Sequence, residues 1–343
     1  MINKWVKRLW GEYNGQNIYL FTYKNSHGSY VEIINYGAIV KSIVVPDKNM
    51  EFSNVVLSYP NFLSYKEDSC YVGATIGRFA NRIGDASYTF ANQVVYLSKN
   101  DGDHQNHGGE EGFHDKIFDY HISGDTLMLC VSSCSGEGGY PGNVKFMVRY
   151  NWSKDDQLTI SYEAITNQIT PLNFTNHSYF NLSGLNTPIW DHVLEINADQ
   201  VLETTSDYIP TGGIQSAKSV YSNNGKSIGE NLIKNDIPKG LNHYFISRNT
   251  TENSWRTSGI GKLFEPESRR CLEVFTSYPG VQIYTGDYLN TQLEGSSYHK
   301  PFQGLCLECQ FYPDSPNHKN FPNTFIGPRQ RYYQSILYDF KVV

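Results

Sequence analysis

Three side chains in this sequence are equipped to move protons: Glu308, His177 and His107. Glu308 sits in the apolar run Phe302-Gln303-Gly304-Leu305-Cys306-Leu307-Glu308-Cys309-Gln310, with Pro313 and Pro316 close behind. Proline donates no ladder hydrogen bond, so the run reads as a strand that stops near Tyr312. Side chains alternate across a strand, which places Cys306, Glu308 and Gln310 on one face and Leu305, Leu307 and Cys309 on the other. An unpaired buried carboxylate is very costly. Glu308 is therefore paired, exposed at an edge, or held rigidly for chemistry.

The two histidines lie in polar clusters. His177 is flanked by Asn176, Ser178, Tyr179 and Asn181, whose amides and hydroxyls can fix its tautomer. His107 precedes a double glycine in Asn106-His107-Gly108-Gly109. Glycine admits a ligand close to the backbone or simply makes a tight turn, and the residues alone leave both open. A further cluster, Gly77-Arg78-Phe79-Ala80-Asn81-Arg82-Ile83-Gly84, holds two arginines, for each of which an ordinary ion pair is the commoner reading.

Rival chemistries find little support. His104 and His107 are three apart in a loop and no H-E-x-x-H or paired-cysteine signature accompanies them, so no metal is expected. There is no G-x-S-x-G elbow. Gly136-Glu137-Gly138-Gly139-Tyr140-Pro141-Gly142 breaks the G-x-G-x-x-G pattern at Pro141, against nucleotide binding. Cys306 and Cys309 have C-x-x-C spacing, but on a strand they point to opposite faces. What remains is a carboxylate and two histidines, suited to proton transfer at both ends of a small molecule without a cofactor.

The elements that must position these groups are strands. Ile18–Tyr23 and Tyr30–Ile34 read as a first hairpin; Val144–Tyr150 and Leu158–Ala164 alternate cleanly as a second. Further strands are expected at 193–196, 270–275, 281–284, 305–311 and 332–340, with one short helix near 60–67. Residues 100–112, 132–142 and 211–235 read as loops, the last polar enough to be mobile. No linker interrupts the pattern, so one antiparallel all-β domain over residues 1–343 is expected.

Lys and Arg total 28 against 34 Asp and Glu, a net charge of −6 with no basic block, which disfavours nucleic acid and anionic membranes as partners. With 26 Tyr and 18 Phe the chain is rich in residues that favour strands and line sugar-binding surfaces. Six scattered cysteines make no disulfide framework. The absence of an apolar leader or a membrane-length run suggests a cytoplasmic location.

Taken together and in order, these clusters resemble the aldose 1-epimerase (galactose mutarotase) family. The resemblance rests on Arg78-Phe79-Ala80-Asn81-Arg82-Ile83, Asn106-His107-Gly108-Gly109, Gly138-Gly139-Tyr140-Pro141-Gly142, Asn176-His177-Ser178-Tyr179-Phe180-Asn181-Leu182, Pro279-Gly280-Val281-Gln282, and Leu307-Glu308-Cys309-Gln310. It implies a large antiparallel β-supersandwich and interconversion of the anomers of a free hexose by ring opening, with no cofactor and with the chain a monomer or homodimer. It also implies Glu308 as base at O1, His177 as acid at the ring oxygen O5, His107 as a second histidine near O5, and Asn81, Arg82 and Gln282 as sugar contacts. One position departs. The family usually carries Asp in the motif that here reads Gly240-Leu241-Asn242-His243, so Asn242 leaves open an altered sugar preference or a weakly active, sugar-binding homologue.

Overall fold

The computed structural model describes residues 3–234, 240–248, 259–293 and 296–343. Strands form where the alternation places them. Val144–Trp152 pairs antiparallel with Gln157–Thr166, and Val144, Phe146, Val148, Tyr150 and Trp152 all turn into the core while the residues between them stay more accessible. The 18–23 and 30–34 runs pair as expected within Gln16–Lys24 and Tyr30–Ile34. The short helix is Phe62–Lys66, started by Asn61, whose side-chain oxygen accepts the Ser64 backbone N–H at 3.0 Å.

Three sheets dominate, and their pairings are antiparallel. An eight-stranded sheet runs in the order 119–123, 126–133, 144–152, 157–166, 332–342, 270–276, 261–264 and 193–196. A six-stranded sheet runs 179–180, 305–310, 280–284, 242–247, 198–204 and 210–216, and a five-stranded sheet is built from residues 5–54. One hydrophobic cluster joins them, with Leu129, Ile160 and Tyr338 of the eight-stranded sheet meeting Val281, Leu305 and Leu307 of the six-stranded one. The Tyr338 hydroxyl donates to the Leu307 carbonyl at 3.4 Å across that junction. The all-β architecture expected from the sequence is thus the one observed.

The segment 211–235 differs from expectation. It contains the strand Pro210–Ser216, a turn at Ala217–Ser219 and the helix Ile228–Lys234; Asn235 lies outside the described residues. Ile228 and Leu232, one helical turn apart, bury against the main core, and that contact outweighs the polar composition around them. The strands Trp5–Tyr13, Asp119–Ser123 and Ala198–Thr204 are not apparent from the sequence, because charged residues interrupt their apolar ones.

Candidate functional site

The strand Leu305–Gln310 is flanked on both sides, by Tyr179–Phe180 and by Gly280–Tyr284. Leu305, Leu307 and Cys309 face the main core; Cys306 belongs to the cluster on the opposite face. Glu308 shares the Cys306 face and looks into a cleft of about 840 Å³. Asn81, Arg82, His107, His177 and Asn242 line the same cleft, so six of the seven residues singled out from the sequence converge there.

Backbone hydrogen bonds fix His177: its N–H donates to the Ala74 carbonyl at 2.9 Å and its carbonyl accepts from Gly73 at 3.0 Å. Its Nε2 lies 3.6 Å from Glu308 Oε1, and its Nδ1 lies 3.5 Å from Cys306 Sγ. The His107 ring stands nearly perpendicular to that of His177, centroids 5.2 Å apart. His107 Nδ1 accepts the Asn81 backbone N–H at 3.2 Å, which assigns the imidazole proton to Nε2 and makes that nitrogen a donor. Gly108, at φ +86°, is required next to it, since a Cβ there would run into the Gly77 carbonyl.

Burial sets the protonation of the group. Glu308 is pushed up to about 8 by desolvation, with Arg82 pulling the other way. Desolvation brings His177 down to about 4 and His107 well below the usual imidazole value. At neutral pH the pair is therefore a carboxylic acid facing a neutral imidazole, holding one exchangeable proton between two groups whose preferences are pushed apart. Glu308 Oε2 is buried without a hydrogen-bond partner, which leaves it a free acceptor toward the cleft.

The remaining residues divide between cleft and support. Arg82 pairs with Asp101 at 2.8 Å and lies over the Tyr208 ring, so it is both an ion pair and a cleft residue. Asn81 Oδ1 accepts the Arg82 backbone N–H at 2.8 Å. Gln282, paired with Glu308 in the ladder, does not line the cleft; its Nε2 donates to Asn242 Oδ1 at 2.7 Å. That bond occupies the Asn242 carbonyl and turns its NH₂ group toward the cleft as a donor. Arg78 is structural: buried, it donates to the carbonyls of Ser133, Cys134, Pro141 and Gly142 and so ties down the 132–142 loop. Asp314 accepts from the Gly84 N–H at 3.0 Å, bracing the turn beside Arg82.

Sequence reasoning missed Tyr71, Tyr208 and Tyr288, which also line the cleft. They lie in no motif, and among 26 tyrosines nothing local marks them. Among the described residues, His107, His177 and Glu308 are the group of His and acid side chains whose ligand atoms lie close enough, within 4.8 Å of one another, to hold a metal ion. The hydrogen bonding of His107 opposes that use, since Nδ1 already accepts the Asn81 N–H and the proton then sits on Nε2.

The aldose 1-epimerase family model matches residues 19–339. The chain belongs to the aldose 1-epimerase family. It is 32% identical to the aldose 1-epimerase of Escherichia coli over 341 residues, covering 95% of this chain and 96% of that one. It is 34% identical to the galactose mutarotase of Bos taurus over 318 residues, covering 91% of each. Among solved structures, an aldose epimerase homologue from C. elegans superposes with a TM-score of 0.86 at 27% identity over 94% of this chain and 99% of that one. The galactose 1-epimerase of Lactobacillus acidophilus superposes at 0.85 with 24% identity over 98% of each, a likeness of fold. The fold is thus the galactose mutarotase β-supersandwich, and the family's members are isomerases.

Proposed function

We propose that this aldose 1-epimerase interconverts the α and β anomers of a free hexose, galactose or glucose, at the Glu308–His177 pair. The observation that carries the reading is that pair: a buried carboxyl and a buried imidazole 3.6 Å apart that both line the open cleft. Ring opening needs one proton taken from the anomeric O1 hydroxyl and one delivered to O5. Glu308, as carboxylate, takes the first; His177, as imidazolium, gives the second. In the free protein the proton rests on Glu308, so its passage to His177 precedes ring opening, and Arg82 favours that transfer by stabilising the carboxylate. The open-chain aldehyde turns about C1–C2 and recloses with the roles reversed. Each acid or base step contributes about 10² to 10⁴ in rate.

His107 Nε2–H donates toward O5, while Asn81, Arg82 and Asn242 hold sugar hydroxyls and Gln282 orients Asn242. The chain acts as one unit, without a cofactor, as a monomer or homodimer in the cytoplasm. A carboxylate at position 242 would offer the sugar an acceptor; the amide offers a donor, which points to altered sugar preference rather than lost turnover, because the acid and base are both present. Polarimetry of fresh α-D-galactose and α-D-glucose tests the reading. Catalysed mutarotation of either sugar supports it, and saturable binding of both with no rate enhancement overturns it.

A further inference from the structure

The turn 68–74 belongs to none of the motifs, yet its backbone is tied to the segment Asn176–His177. Besides the two His177 bonds to Gly73 and Ala74, Asn176 Nδ2 donates to the Gly73 carbonyl at 2.9 Å. Asp68 shapes the turn from within. Its half-buried carboxylate accepts the backbone N–H groups of Cys70 at 2.9 Å and Val72 at 2.6 Å, and the Tyr59 hydroxyl at 2.9 Å. The result places Tyr71 at φ +58°, a left-handed conformation that is uncommon for an aromatic residue and persists only where its surroundings enforce it.

So presented, the Tyr71 ring meets three histidines. Its centroid lies 4.7 Å from that of His107, 4.8 Å from His114 and 5.8 Å from His177. With Ser69 it also lines a second cavity of about 380 Å³, bounded by Asp68, Lys66, Glu110 and His114, so the ring stands between that cavity and the cleft.

We propose that Tyr71, held by the Asp68 turn, is the positioning residue that fixes the spacing of His107 and His177 and keeps the second cavity's water away from them. The catalytic consequence rests on the acid–base reading above; the state of the histidines does not. The ionisable groups around the two rings are Glu308, Cys306, Arg82, His114, Tyr71 and Tyr179, with Asp101 and Asp68 acting on Tyr71. Desolvation is the leading cause of the low values of both histidines, and a change at Tyr71 leaves the other charges in place. A shift then reports lost shielding.

The experiment is an NMR titration of the His107 and His177 imidazoles, beside mutarotation kcat and KM, in wild type, Tyr71→Leu, Tyr71→Phe and Asp68→Asn. In Tyr71→Leu both titrations move up toward the ordinary 6.5. The acid limb of kcat/KM moves with them, and kcat falls about tenfold with little change in KM. Tyr71→Phe, which keeps the ring, stays near wild type. Asp68→Asn, which removes no cleft side chain, shifts both readouts the same way by less. Unmoved histidine titrations in Tyr71→Leu and Asp68→Asn overturn the proposal, as does a Tyr71→Phe variant as impaired as Tyr71→Leu. Histidine shifts without any wild-type mutarotation would instead overturn the function and leave this inference standing.

Discussion

The two faces of the strand Leu305–Gln310 are equally buried and do opposite work. On one, Leu305, Leu307 and Cys309 enter the core shared by the sheets. On the other, Glu308 Oε2 and both amide atoms of Gln310 are buried without hydrogen-bond partners. A buried polar atom left unpaired costs about 1–3 kcal/mol, so the second face gives up stability that the first supplies. Burial alone therefore does not distinguish a structural residue from a functional one; Glu308 is set apart by an unpaired carboxyl oxygen that stands at the cleft beside a histidine.

The sharpest way to break this contrast is to change one face at a time. Glu308→Gln preserves shape and removes the base, and mutarotation measured by polarimetry should fall by about 10² to 10⁴ with the fold intact by circular dichroism. Leu307→Ala should do the reverse, lowering unfolding free energy by about 2–5 kcal/mol in denaturant titrations while kcat in the folded fraction stays within a few-fold.

A smaller effect links the faces. Folding raises Glu308 from 4.5 to about 8, so its contribution is fully present below pH 4.5 and lost as pH rises to 8. Glu308→Gln escapes that loss. Its unfolding free energy relative to wild type should climb between pH 4.5 and 8 and level off above, by a few kcal/mol at most. A constant difference across that range would mean the carboxyl is not desolvated. Asn242→Asp comes last: it should alter the ratio of kcat/KM for galactose and glucose by a few-fold, and an unchanged ratio would remove position 242 from sugar recognition.

The same strand shows how much the sequence disclosed. Period-two alternation and the prolines after it located the strand and its faces, because both signals are local. The motifs led to the cleft through His107, His177, Asn81 and Arg82, whose residue types and polar neighbours are visible locally. Gln282 could not be placed that way: whether it reaches the cleft or stands behind Asn242 depends on strand pairing between residues forty positions apart. Tyr71 was invisible for a similar reason, because its role comes from the Asp68 turn and from histidines distant in sequence. The helix at 228–234 was hidden by polar neighbours that its tertiary contact overrides.

The most direct test of the shared proton is the pH dependence of kcat/KM for α-D-galactose mutarotation. The account predicts a bell with a plateau between limbs near pH 4 and near pH 8, where His177 and Glu308 leave the one-proton state, and no such bell in Glu308→Gln. Activity that keeps rising well above pH 8, or a bell that survives in Glu308→Gln, would contradict it.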